Sequence, residues 1–150
     1  CGQHNSRITL TGIVAQHEAK NYLAACDAFL LPTQPNADGS RFFGSPVKLF
    51  EYMSMGKPII ASAIEQVEQI LQPAVTLHQL QDPALGCGDS CALLVPSHDV
   101  QGFVDAACAL ANTHDVLIKQ LGMNARRRVI ERYTWNAHVG VISAAMQQKA

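Results

Sequence analysis

The chain has 150 residues, 48% of them hydrophobic and 15% charged, with a formal net charge of −1. That length suits one α/β core and leaves little room for a second. The near-neutral balance gives no electrostatic footprint for nucleic acid, and no apolar run approaches the roughly 18 to 20 residues needed to cross a bilayer.

The chain opens with Cys1 rather than Met, and Cys1 to Arg7 is polar, so an upstream segment is expected to be missing. Five cysteines (Cys1, Cys26, Cys87, Cys91, Cys108) are odd in number and lack a disulfide-framework spacing, which points to a reducing cytoplasm. Cys26 and Cys108 read as small hydrophobes inside apolar helical patterns. Three residues separate Cys87 from Cys91 and no His or Cys pair answers them, so a zinc site is set aside.

In chain order, Arg7 to Leu10 alternates and reads as a strand ending at Thr11-Gly12. Glu18 to Cys26 places Ala19, Tyr22, Leu23 and Cys26 on one helical face. Ala28 to Leu31, closed by Pro32, reads as a buried strand, with Asp27 capping or bonding locally just before it. Pro32 to Gly44 is a polar loop at that strand's carboxyl end, the edge where open parallel sheets bind ligands.

Pro46 to Met55 reads as a helix with Ser45 as N-cap, Pro46 at the first helical position, Gly56 as the left-handed C-terminal residue and Pro58 just beyond. Ile59 to Ala61 is a strand and Glu65 to Leu71 a helix. Gln72 to Ser90 is a long irregular connection with room for an extra strand, and Ala92 to Val95 is the last strand. Helices over Val100 to Ala111, Val116 to Tyr133 and Trp135 to Gln148 close the chain. Arg126, Arg127, Arg128 and Arg132 cluster on one of these and read as a solvated basic face. Trp135 reads as a packing anchor, and the six histidines (His4, His17, His78, His98, His114, His138) as surface or satisfied groups. Alternating buried strands and helices specify an α/β fold, a Rossmann-like doubly wound parallel sheet.

The chemistry concentrates in Gly44 to Ser62, GSPVKLFEYMSMGKPIIAS. A helix N-terminus exposes unpaired N–H groups and the positive end of its dipole, so the Ser45-Pro46-Val47-Lys48 turn is an anion site, phosphate being the obvious anion. Pro46 supplies no N–H, which leaves the Val47 and Lys48 amides, the Ser45 hydroxyl and the Lys48 ammonium. Ordinary capping by Ser45 is the bland alternative. Glu51 stands among Leu49, Phe50, Tyr52 and Met53, and a carboxylate in apolar company needs partners. The vicinal hydroxyls of a ribose would serve, as would an ion pair with Lys48 or Lys57, or simple exposure.

This stretch resembles the signature of the family 4 glycosyltransferases, where it lies in the C-terminal, donor-binding domain of a GT-B enzyme. ITLTGIV, YLAACDAFLLPT, ALLVPSHD and LGMNARRRVIERYTWNAHV are similar to the family's flanking segments, so the likeness covers nearly the whole chain. It implies that residues 1–150 are a partial nucleotide-sugar-binding domain, lacking its first strand and helix and the N-terminal acceptor domain. It implies Glu51 on the ribose hydroxyls, Ser45, Val47 and Lys48 on the diphosphate, and Gly12, Ile13 and Val14 near the base. Transfer would retain anomeric configuration and need no metal. The partners implied are a nucleotide sugar, an acceptor glycan, lipid or small molecule, and the N-terminal domain of the same enzyme, in the cytoplasm or at the inner face of a membrane.

Two departures accompany the likeness. Many members have a second glutamate eight positions before the ribose-binding one, at the donor sugar; here that position is Phe43, so Phe43 and Gly44 mark the sugar's vicinity and no catalytic residue is assigned. The family's upstream Arg and Lys for the diphosphate would precede Cys1. Phe43 supports a rival reading, a noncatalytic nucleotide-binding or scaffolding module of the same fold. A dinucleotide-dependent oxidoreductase is disfavoured because no G-x-G-x-x-G follows a strand, and a nucleotide-sugar isomerase because its usual cleft acids and histidines are not recognisable.

Overall fold

The computed structural model describes residues 8–40, 46–82, 86–113 and 115–147. Three parallel strands, β1 (Phe29–Leu31), β2 (Ile59–Ser62) and β3 (Leu93–Val95), pair in the order β1-β2-β3, with Phe29 opposite Ile59 and Ile60 opposite Leu93. Seven helices are described: α1 (Gln16–Ala25), α2 (Val47–Ser54), α3 (Glu65–Leu71), α4 (Leu77–Gln81), α5 (Val100–Asn112), α6 (Asp115–Arg132) and α7 (Trp135–Gln147). Alternate residues of the strands face opposite ways, so each side of the sheet has its own apolar cluster. Phe29, Ile59 and Ala61 pack with Leu49 and Met53 of α2, Val67 and Ile70 of α3, and Ala125 and Val129 of α6. Ile60, Leu93 and Val95 pack on the other side with Leu80 of α4, Ala106 and Leu110 of α5, and Leu117 and Leu121 of α6. Helices therefore cover both faces, and the sheet is doubly wound, Rossmann-like.

Helix α2 is built as its punctuation predicts at one end. Gly56 takes φ +67°, the left-handed value that only glycine adopts without strain, and its N–H donates to the Met53 carbonyl at 3.2 Å. At the other end the helix begins one residue later than expected. Pro46, at φ −80° and ψ 52°, is the flanking residue whose carbonyl accepts from the Phe50 N–H at 3.2 Å, and Val47 is the first helical residue. Ser45, the expected cap, lies outside the described residues.

Four other expectations are corrected. Of the strand expected over Arg7 to Leu10, Arg7 lies outside the described residues and Ile8 to Leu10 forms none: no neighbour among the described residues supplies ladder hydrogen bonds, and Ile8 and Leu10 are exposed. The connection after α3 carries no full strand among its described residues, only a single parallel bridge from Val75 to Leu93, and it adds the helix α4, whose Thr76 and Gln79 form a reciprocal capping box. In α1 only Leu23, with Cys26 just beyond the helix, packs on the core, while Tyr22 is exposed, and Cys108 is exposed as well.

The basic cluster of α6 is the fourth, and only in part: Arg126, Arg127 and Arg132 are exposed as a solvated face requires, but Arg126 and Arg128 also hold main chain. Arg126 donates to the Ser54 carbonyl at the end of α2. Arg128 donates to the carbonyls of Ile70 and Asp89, each at 3.2 Å, and to that of Gln72. Carbonyls at helix C-termini lack intrahelical donors, and cations are favoured there, so α6 ties the ends of α2 and α3 to the sheet.

Candidate functional site

The β1–α2–β2 crossover is parallel, so the start of α2 lies at the carboxyl edge of the sheet, the edge where such folds bind ligands. Three side chains lock α2 in rotation. Leu49 and Met53 are fully buried, and the Tyr52 ring stacks on Phe29 of β1 with centroids 4.3 Å apart and planes 7° from parallel. Burial raises the Tyr52 phenol above its ordinary pKa, with smaller contributions from Cys26 and Glu51, so the ring stays neutral.

With that side fixed inward, Val47, Lys48 and Glu51 come out on the open side of the helix, all three exposed. Of the outcomes open to a carboxylate among apolar neighbours, Glu51 takes exposure, and its side chain faces water. No ion pair joins it to Lys48 or Lys57 among the described residues. Positions 47 and 51 are one turn apart and share a face, so the carboxylate lies one turn beyond the first helical amides, whose N–H groups have no intrahelical acceptor. Of the residues expected around the ligand, Val47, Lys48 and Glu51 are thus brought together, while Phe43, Gly44 and Ser45 fall outside the described residues. Gly12 and Ile13 are exposed, Val14 is half-buried, and Gly12 takes φ +66°, a turn ahead of α1.

Around the same edge the loops are tied to each other. Gln34, after β1, donates its side-chain amide to the Ser97 carbonyl after β3 at 2.6 Å, so a hydrogen bond spans the carboxyl end of the sheet. Asp38 accepts from the Ser40 hydroxyl at 2.6 Å and from its N–H at 2.9 Å, and the Ser40 hydroxyl hydrogen bond, the larger cause, holds the Asp38 carboxyl below the usual carboxylate range.

Three features of this edge escaped the sequence reading. Ser62, the last residue of β2, is fully buried with no hydrogen-bond partner for its hydroxyl among the described residues; a serine closing the apolar run Ile59-Ile60-Ala61 is its signal in the sequence. Glu65, at the start of α3, takes φ +33°, a strained value for a residue with a Cβ. Trp135, read as a packing anchor, is 83% exposed, because the first turn of α7 has no element over it among the described residues. No group of three His, Cys, Asp or Glu able to hold a metal ion occurs among the described residues, and no helix there is long and apolar enough to cross a membrane.

The family model for group 1 glycosyl transferases matches residues 2–113, a span that contains β1, α2, β2, β3 and the Val47-Lys48-Glu51 face. The chain belongs to the group 1 glycosyltransferases. Its likeness to individual members is lower but consistent. It is 36% identical over 69 residues to the amylovoran biosynthesis glycosyltransferase AmsK of Erwinia amylovora, covering 46% of this chain and 17% of that protein. It is 25% identical over 122 residues to WcaL of Escherichia coli K12, a candidate colanic acid biosynthesis glycosyltransferase, covering 81% of this chain and 26% of that protein. The WcaL of Salmonella typhimurium LT2 gives 25% over 130 residues, 87% of this chain and 28% of that protein. The transferase chain thus spans between about a sixth and just over a quarter of these relatives. No solved structure matches it.

Proposed function

We propose that this chain is the donor-binding part of a GT-B glycosyltransferase that takes a sugar from a nucleoside diphosphate sugar and passes it, with retention and without a metal, to an acceptor glycan, lipid or small molecule. The observation that carries the reading is the exposed Val47-Lys48-Glu51 face of α2 at the carboxyl edge of a parallel sheet. Each group on it has a role. The diphosphate rests at the N-terminus of α2, where the Val47 and Lys48 amides and the Lys48 ammonium meet it, with Ser45 beside them. Glu51, one turn on, accepts from the two ribose hydroxyls, and hydrogen bonds to a charged acceptor contribute roughly 1.5–3 kcal/mol each. Gly12, Ile13 and Val14 border the base, and Phe43 and Gly44 the sugar.

The chemical work is to stabilise a departing diphosphate. Amides fixed by the helix cost no reorganisation as charge develops on the leaving group, and they act more strongly once a cleft closes and excludes water. The open side of α2 supplies one wall of such a cleft. In this reading the other wall, and the acceptor, belong to an N-terminal domain outside these 150 residues, with the whole enzyme working in the cytoplasm or at the inner face of a membrane.

The test is calorimetric titration of UDP, GDP and ADP into the full-length protein and its Glu51→Ala variant. Binding of one diphosphate, weakened tenfold or more by the substitution (about 1.4 kcal/mol), supports the reading and names the base. Absence of binding to all three overturns it in favour of a scaffolding module.

A further inference from the structure

Adjoining the Val47-Glu51 face of α2 lies a second concave space of about 750 Å³, between the first half of α2, α3 and the junction of α6 with α7. Its floor is aromatic: Phe50 of α2 stacks on Tyr133 with centroids 4.9 Å apart. Its rim is a free indole. Trp135 is 83% exposed yet not loosely held, because Thr134 accepts from the Ala137 N–H at 3.3 Å through its hydroxyl and from the His138 N–H at 3.0 Å through its carbonyl, fixing the first turn of α7. Gln66, Gln69 and Arg132 complete the polar part of its lining. Arg126, Arg127 and Arg128 are each engaged by carbonyls or Asp89, whereas Arg132 makes no hydrogen bond or ion pair among the described residues. No carboxylate lines the space.

That combination selects a class of ligand. A lipid chain or an apolar helix wants a continuous apolar lining, which two amides, an imidazole and a guanidinium interrupt. A pyranose ring carries C–H groups on its faces and hydroxyls around its edge, so it rests a face on an indole while amides reach the edge. An aromatic side chain with an apolar body suits such an amphipathic ligand, as do a few convergent polar groups around an apolar pocket. An unpaired guanidinium on a lining that holds no carboxylate, with Asp89 and Glu131 bordering a separate space on its other side, favours a sugar bearing a carboxylate, which it binds through two parallel hydrogen bonds.

We propose that the space bounded by Phe50, Tyr133, Trp135, Gln66, Gln69 and Arg132 is a subsite for an acidic saccharide, with a sugar ring on Trp135 and a uronic acid carboxylate on Arg132. Val47 lines this space and also opens the turn assigned to the diphosphate, so the saccharide lies beside the donor. The subsite's place in the reaction, as a hold on the acceptor glycan, rests on the donor-domain reading; its ligand chemistry does not.

The test uses the full-length protein labelled with 5-fluorotryptophan. Trp135 is the one tryptophan of this sequence, and a Trp135→Phe variant identifies its fluorine resonance in the whole enzyme. An oligosaccharide of alternating glucuronic acid and N-acetylglucosamine is titrated beside its carboxyl-reduced form. The expected result is a saturable shift of the Trp135 resonance, with the acidic sugar binding at least tenfold more tightly than the reduced one, and with that preference lost in Arg132→Gln. A Gln66→Ala variant, which removes an amide and keeps the charge, weakens both sugars alike.

No saturable shift with either sugar, as when another part of the enzyme covers the indole, overturns the proposal. So does equal binding of the two sugars, a preference that survives Arg132→Gln, or a shift produced by nucleotide alone. The two readings separate cleanly: binding of nucleotide without sugar sinks the subsite and leaves the donor site standing, and binding of sugar without nucleotide does the reverse.

Discussion

Gly122, inside α6, lies against the main chain of Gly56, so close that a Cβ on Gly122 would stand 2.2 Å from the Gly56 carbonyl oxygen and 2.6 Å from its carbonyl carbon. The turn that ends α2 is thereby pressed directly onto α6, and the Arg126 bond to the Ser54 carbonyl clamps the same junction. In an ordinary helix interior, glycine to alanine stabilises by about 1 kcal/mol. Here the obstacle is backbone rather than a movable side chain, so Gly122→Ala reverses the sign and destabilises by about 1–3 kcal/mol, the usual range for overpacking. Urea unfolding of the two proteins gives the difference, and a neutral or stabilising result contradicts this packing.

The arginines of α6 differ in worth. Arg128→Met strips donors from three carbonyls, one of them Ile70's in a buried stretch, and a loss of about 2 kcal/mol follows, since unsatisfied groups cost roughly 1–3 kcal/mol each. Arg127→Ala removes a 2.7 Å ion pair with Asp89 whose side chains are 53% and 76% exposed, and changes stability by less than about 0.5 kcal/mol. Equal effects in the same unfolding experiment would mean that Arg128's carbonyl bonds contribute nothing beyond a surface pair.

Ser62→Ala is expected to be neutral or to stabilise by up to about 1 kcal/mol, because the buried hydroxyl has no hydrogen-bond partner among the described residues and desolvating it unpaired is unfavourable. A loss above about 1 kcal/mol in thermal unfolding would show that the hydroxyl has a partner in the working enzyme.

Cysteine reactivity follows burial. The thiolate is the nucleophile, and Cys91 is buried, with burial the largest influence raising its pKa, partly offset by Arg128 and Arg127. A raised pKa keeps the thiol protonated at pH 8, whereas Cys108 is exposed. Iodoacetamide labelling followed by peptide mass spectrometry at that pH should modify Cys108 at least tenfold faster than Cys91, and the reverse order would contradict the placement of the two.

These particulars also show where sequence was sufficient. Gly56 and Pro58 punctuate the chain through their own dihedral constraints, so the end of α2 and the start of β2 could be read from local chemistry alone, and α3 falls at Glu65–Leu71 as expected. The rotation of α2 could not be read: in an eight-residue helix with Leu49, Phe50, Tyr52 and Met53 all apolar, only the Tyr52 stack on Phe29 and the burial of Leu49 and Met53 decide that Glu51 faces out. Long-range facts were equally hidden. Nothing near Arg126 or Arg128 in sequence announces the carbonyls they hold, and nothing near Gly122 announces Gly56. Trp135 failed as a packing anchor because periodicity reports which residues want cover and not whether cover is present.

The central claim is that Glu51 reads the ribose of a nucleoside diphosphate held at the start of α2. The most direct measurement is a calorimetric double comparison on the full-length protein: the preferred diphosphate against its 2′,3′-dideoxy counterpart, in wild type and in Glu51→Ala. The account predicts that wild type binds the dideoxy compound at least tenfold more weakly, about 1.4 kcal/mol, and that Glu51→Ala binds both alike. A discrimination against the dideoxy compound that persists undiminished in Glu51→Ala would place the ribose on some other group and contradict the account.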